Sequence, residues 1–158
     1  MKRVSITDND SARVLQIAGG SYRVLLSGDE TNGRLASIEM RVPVGKGPIP
    51  HEHPGFAESF YVASGEVSFE TAAGKKIVSA GGFVQIPLDG EPHRFINTGN
   101  EEAVLLCTVQ PAGLDAFFTE VDDLLHGNPP DETQKQQLAQ LSVKYGQTVY
   151  PPDYFDNH

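Results

Sequence analysis

The sequence predicts an all-β domain with a short appendix of two helices at its C-terminal end, and three observations carry that prediction. Between residues 12 and 110, polar and apolar residues alternate in short runs, the period of strands buried on one face. Turn formers separate the runs: Gly19-Gly20, Asn32-Gly33, Pro54-Gly55, Ala73-Gly74 and the stretch from Pro87 to Gly90. After Gly113 the spacing changes to that of an amphipathic helix.

Taken in order, ARVLQI and SYRVLL form the first strand pair, and the polar stretch SGDETNG leads to RLASIEMRV. In that third run Ala36, Ile38, Met40 and Val42 make the apolar face expected to point inward, while Glu30 and Thr31 before it read as solvated loop residues. Pro48 and Pro50 flank Ile49, which disfavours helix and removes two ladder donors, so a stiff, extended segment enters His51. The runs EVSFET and KKIVSA follow, and AVLLCTVQ closes the β region at Pro111.

From Gly113 to His126, residues Leu114, Phe117, Phe118, Val121, Leu124 and Leu125 share one face, with Asp115, Glu120, Asp122 and Asp123 elsewhere. That apolar face is expected against the outside of the barrel or a partner subunit. His126-Gly127 and Pro129-Pro130 are a helix stop, where His126 sits favourably for the macrodipole rather than as a ligand. Asp131 caps a second helix, with Gln134 at the capping-box position and Leu138, Leu141 and Tyr145 as its apolar face. The Pro- and aromatic-rich tail is expected to lie along the body, with His158 a solvated terminal residue.

Two stretches carry chemistry. In GKGPIPHEHPGFAESFYVASG, Gly45, His51, His53, Glu58 and Gly65 stand at the spacing G-x5-H-x-H-x4-E-x6-G. His51 and His53 are two residues apart and project from one face of an extended strand; if the chain doubles back at Pro54-Gly55, Glu58 can face them. Two imidazoles and a carboxylate are three ligands for a divalent transition metal, and a fourth is to be sought downstream. A bare His-x-His alone would read as two solvated loop histidines. The second stretch, GGFVQIPLDGEPHRFIN, orders a strand, a Pro-Gly turn and a return strand on which His93, Phe95 and Asn97 share a face.

Together these stretches resemble the paired signature motifs of the cupin superfamily. The resemblance implies a double-stranded β-helix, or jelly-roll barrel, over residues 1–111, with the helical appendix and tail, 112–158, packed on it as one domain. It also implies a metal bound by three His and one Glu, roles that fall on His51, His53, Glu58 and His93. Pro87-Leu88-Asp89-Gly90 departs from the family's Pro-x-Gly by one extra residue, expected to shift His93 slightly. The order of features, from GDETNG through VPVGKGPIPHEH and FYVASGEV to PAGLDAFFTEV, is similar to that of single-domain quercetin 2,3-dioxygenase-like cupins. In that family the metal-bound glutamate deprotonates the flavonol hydroxyl, the flavonolate chelates the metal and O2 cleaves the heterocycle; by resemblance Glu58 would be that base. A homodimer is expected by the same analogy.

A three-imidazole, one-carboxylate set holds no thiolate, which argues against a closed cysteine-rich zinc site and leaves iron, manganese, nickel, cobalt, copper and zinc admissible. Glu58 is either a structural ligand only or ligand and general base together. Met40, Phe60, Val62, Val84, Ile86 and Phe95 would make an apolar pocket for an aromatic or enolic small molecule; each is also an ordinary candidate for barrel core. Rival readings are a non-oxidative metalloenzyme, an isomerase or lyase, and a metal- or ligand-binding module without catalysis. The net charge of −9 opposes binding to nucleic acid or an anionic membrane. Cys107, the single cysteine, lies in an apolar run as a buried small hydrophobe or, less in keeping with that run, a functional thiol. The opening MKRVSITDND has no apolar signal region and no eighteen apolar residues run together, so a cytoplasmic protein is expected.

Overall fold

The computed structural model of the protein describes residues 3–156; the expectation for His158 lies outside the described residues. The alternating runs form ten strands: β1 Val14–Ile17, β2 Gly20–Leu26, β3 Ala36–Val42, β4 His51–Glu52, β5 Ala57–Ser64, β6 Glu66–Thr71, β7 Gly74–Ser79, β8 Phe83–Ile86, β9 His93–Ile96 and β10 Ala103–Gln110. Helices α1, Leu114–Leu125, and α2, Glu132–Lys144, follow, then β11, Thr148–Val149, and a 3₁₀ turn at Tyr154–Asp156.

All pairings are antiparallel, in a six-stranded sheet ordered β1-β2-β3-β10-β5-β8 and a five-stranded sheet ordered β11-β4-β9-β6-β7. This is a double-stranded β-helix. The two sheets meet through rings: Phe60 of the first lies 5.3 Å from Phe69 and 5.4 Å from Phe95 of the second, between centroids. Strand alternation decides which side chains reach that interior. Ala36, Ile38, Met40 and Val42 are buried on β3, and Ala103, Leu105, Cys107 and Val109 on the neighbouring β10.

Asn32 and Gly33 both take positive φ (55° and 76°), the left-handed turn that their sequence signals. On β6 the alternation breaks, because Ser68 and Glu70 are buried beside Val67 and Phe69. Glu70 can be buried on the outer face because Arg94 Nη2, at 2.6 Å, and Lys75 Nζ, at 3.1 Å, neutralise it. The edge strand β7 is largely exposed and carries Lys75 and Lys76, a common way to blunt a free sheet edge.

The amphipathic reading of α1 meets two corrections. Its apolar face does not lie on the barrel's outside: Phe118 packs edge-on against Tyr22 at 5.1 Å, and Tyr22 sits opposite the inward-facing Met40, so α1 covers an open end of the barrel. Asp115 and Asp122, assigned to the polar side, are buried. Asp115 accepts the backbone N–H groups of Gly28 (2.8 Å) and Gly113 (3.1 Å), and Asp122 accepts that of Gln16 (2.8 Å) and an Arg13 guanidinium N–H (2.6 Å). Each carboxylate thus satisfies backbone donors that would otherwise be orphaned and ties α1 to the first strands.

His126 ends α1 in the left-handed region and its backbone N–H donates to Asp122 O at 2.7 Å. At α2 the capping box is complete: Asp131 accepts the Gln134 N–H (2.8 Å) and Gln134 Oε1 accepts the Asp131 N–H (3.0 Å). Leu138 and Leu141 pack against the core, and the Tyr145 hydroxyl donates to Glu120 Oε1. Beyond α2 the tail becomes a strand, β11, on the free side of β4, with Thr148 opposite Glu52 and Val149 opposite His51. No helix among the described residues is long and apolar enough to cross a membrane.

Candidate metal centre

Four elements bring the site together. The Pro-flanked segment delivers β4, the turn at Pro54-Gly55 reverses the chain, and β5 turns Glu58 inward on the same face as Phe60 and Val62. On β9, His93 lies directly opposite His51, despite the extra residue in the preceding turn. There Asp89 adopts φ 56° and its N–H donates to Pro54 O at 3.1 Å, which fastens this turn to the one after His53. His51, His53, Glu58 and His93 each offer a ligand atom within 4.8 Å of the others. His53, Glu58 and His93 are buried; His51 is half-buried.

The imidazoles are oriented by the backbone. Nδ1 of His51 lies 2.8 Å from Ile49 O, that of His53 3.1 Å from Phe56 O, and that of His93 2.9 Å from Glu91 O. A carbonyl oxygen only accepts, so each Nδ1 carries the hydrogen and each ring, when neutral, presents the Nε2 lone pair to the interior, as a metal-ligating histidine must. His53 Nε2 lies 2.9 Å from Glu58 Oε2, and His93 Nε2 lies 3.7 Å from the same oxygen. A lone pair facing a carboxylate oxygen at 2.9 Å repels unless a positive charge lies between them. Without a metal that charge is a proton, and the His53 imidazole is accordingly raised from its ordinary pKa: burial opposes protonation, but the Glu58 carboxylate outweighs it.

Burial alone would raise the Glu58 carboxyl; the surrounding imidazoles, His53 and His93 foremost, hold it well below the usual carboxylate range. Burial, with His93 adding repulsion, lowers the His51 imidazole to about 4. His51 is therefore neutral and its lone pair free across the physiological range. His93 Nε2 is buried with no hydrogen-bond partner. An anionic carboxylate, converging lone pairs and one orphaned ring nitrogen make a donor set that a divalent metal ion would complete, and the cluster is compatible with such an ion without selecting which.

A cavity of about 470 Å³ runs from the cluster to the underside of α1. Of the expected pocket residues, Met40, Phe60 and Phe95 line it, whereas Val62, Val84 and Ile86 do not. Val62 is fully buried one alternation beyond Phe60, and Val84 and Ile86 stand on β8, opposite Phe60 and Glu58; these three pack the barrel behind the site. The remaining walls include residues not read as site residues in the sequence, among them Tyr22, Leu114, Phe117 and Phe118, and, after α2, Gln147 and Val149. The wide apolar face of α1 was the available signal for the aromatic wall, and Gln147 had none. No Lys or Arg lines this cavity.

Residues 38–109, which include all four cluster residues, match the family profile described as Cupin domain. The fold is a cupin fold. It is similar to that of a predicted oxalate decarboxylase from Thermotoga maritima, at 23% identity over 68% of this chain and 99% of that one, TM-score 0.61. It is also similar to the polyketide cyclase RemF from Streptomyces resistomycificus, at 24% identity over 70% and 79%, TM-score 0.57. KdgF from Halomonas sp. is a third likeness, at 17% identity over 72% and 99%, TM-score 0.61. At these identities the cupin likeness concerns architecture. No curated protein sequence matches the chain.

Proposed function

We propose that the protein is a metal-dependent dioxygenase that cleaves a flavonol or related enolic ring compound with O2. One observation carries the reading: Glu58, an anionic carboxylate among three inward-facing imidazoles, stands at the inner end of a largely apolar, aromatic-walled cavity. A divalent metal held by His51, His53, Glu58 and His93 would act there as a Lewis acid on an enolic oxygen and keep positions open for substrate and O2.

The chain's own groups divide the remaining work. Glu58 accepts the enol proton from a hydroxyl that a bound metal would acidify. Phe60, Phe95, Phe117 and Phe118 hold a ring and keep water out, and α1 is their lid. No Lys or Arg lines the cavity to pair a charged group carried on the substrate away from the metal, which favours an uncharged ring. A homodimer belongs to the same proposal and rests on the sequence resemblance.

The apolar lining also favours a second reading, a non-oxidative ring closure or elimination on an enolic substrate, and the likeness to a polyketide cyclase is in keeping with it. Oxygen uptake separates the two. The metal-loaded protein, tested on a panel of flavonols and other enols in an oxygen electrode, is expected to consume O2 in step with substrate. Product formed equally well without O2 supports the second reading, and neither uptake nor product across the panel points to a binding module without catalysis.

A further inference from the structure

We infer that Gln147 is the hydrogen-bond donor with which this cavity selects a ring bearing an acceptor oxygen over a bare hydrocarbon. Among the described residues two buried side-chain nitrogens lack a hydrogen-bond partner, His93 Nε2 and Gln147 Nε2. The first belongs to the metal centre. The second lines the same cavity, on a residue only 8% exposed. A buried amide nitrogen without a partner is uncommon in a folded protein, and a ligand is one way to complete it.

Its placement is fixed from both sides. The backbone N–H of Gln147 donates to Ser142 O at 2.8 Å, which anchors the residue to the end of α2. Immediately after it, Thr148 pairs with Glu52 and Val149 with His51. Carrying that antiparallel register one step further puts Gln147 alongside His53, and alternation puts Gln147 and Val149 on the same side of β11. Both residues, and both histidines, line the cavity.

The carboxamide is thus a neutral donor on an otherwise largely apolar wall, near the metal cluster and contributed by a segment outside the cupin match at residues 38–109. A neutral amide suits an uncharged acceptor, the ketone, enol or phenol oxygen of a flat ring system, and a site built to pair such an oxygen discriminates against the analogue lacking it. This deepens the proposed function, resting on it for the ring-shaped, enolic class of substrate.

The test compares the binding of 3-hydroxyflavone with that of 2-phenylnaphthalene, a hydrocarbon of similar outline, by fluorescence titration of the zinc-loaded protein. Zinc has no redox chemistry of its own, so binding is read without turnover. The parent is expected to prefer 3-hydroxyflavone; in Gln147→Leu and in the length-conserving Gln147→Met, that preference should fall about tenfold, with 2-phenylnaphthalene binding and zinc content unchanged. An unchanged preference in either folded variant overturns the inference, as does equal binding of both probes by the parent or a parallel loss of both probes in the variants. Zinc content is measured first, so a failure of the metal centre shows there, and a failure of oxygen uptake leaves the probe ratio untouched.

Discussion

Glu58 is gripped at both oxygens: the Cys107 thiol donates to Oε1 at 3.1 Å, from β10, while Oε2 faces His53 Nε2 at 2.9 Å. Cys107 is thus more than the small core hydrophobe that its apolar run suggests. Cys107→Ala leaves Oε1 without its donor in a buried site, and is expected to destabilise the fold by about 1–3 kcal/mol, measured by denaturant unfolding. Burial and the adjacent Glu58 carboxylate push the thiol pKa well up, so iodoacetamide should modify Cys107 only in the unfolded protein. Rapid modification of the native protein would contradict this.

Glu58→Gln separates the ligand role from the base role. Three imidazoles remain, so the variant should retain much of its metal, yet lose turnover on an enolic substrate by roughly two to four orders of magnitude, the range typical of a general base. Steady-state oxygen uptake beside metal content checks this. Unchanged turnover in the metal-loaded variant would restrict Glu58 to a structural role.

The buried pair of Glu70 and Arg94 should make the fold acid-sensitive. Burial alone would raise the Glu70 carboxyl, but Arg94 and Lys75 outweigh it and lower the pKa below its ordinary value. A depressed folded-state pKa means that the stabilisation is present above the unfolded value, about 4.3, and is lost as the pH falls through the folded one. Glu70→Gln should cost about 1–3 kcal/mol at pH 7, because the half-buried Arg94 loses its carboxylate partner and keeps the Pro152 carbonyl. Between pH 5 and pH 3 the parent's Tm should fall more steeply than that of Glu70→Gln. Parallel thermal unfolding curves across that range would contradict the pairing.

The lid role of α1 is testable through Phe118, which meets Tyr22 and also lines the cavity. Phe118→Ala is expected to cost about 3–5 kcal/mol of stability, the usual range for emptying an aromatic core position. A loss within 0.5 kcal/mol in denaturant unfolding would place the ring outside the core.

The barrel strands and three of the cluster residues were legible as local patterns, whereas His93, on a separate stretch, was assigned through the resemblance. Alternation with turn residues marks each strand, and His51, His53 and Glu58 lie on one reversal of the chain, where spacing alone fixes the face. The positions that escaped the reading depend on contacts distant in sequence. Asp115 and Asp122 are buried because they accept backbone N–H groups 87 and 106 residues away, information absent from a helical period. The period of α1 shows an apolar face but not the barrel mouth that it covers. Val62, Val84 and Ile86 share the inward parity of Phe60, yet alternation cannot distinguish the residues bordering an open cavity from those packed behind it. Gln147 immediately precedes a strand, β11, of only two residues, too short to leave any periodic trace.

The central claim is that His51, His53, Glu58 and His93 together hold a divalent metal ion at the end of the cavity. Elemental analysis tests it most directly, on parent protein and on His93→Ala, each loaded with a divalent transition metal and then desalted. The account predicts about one ion per chain in the parent, as a preformed four-ligand site should retain, and a clear loss in His93→Ala. A parent that retains no metal, or a His93→Ala variant that retains as much as the parent, would contradict it.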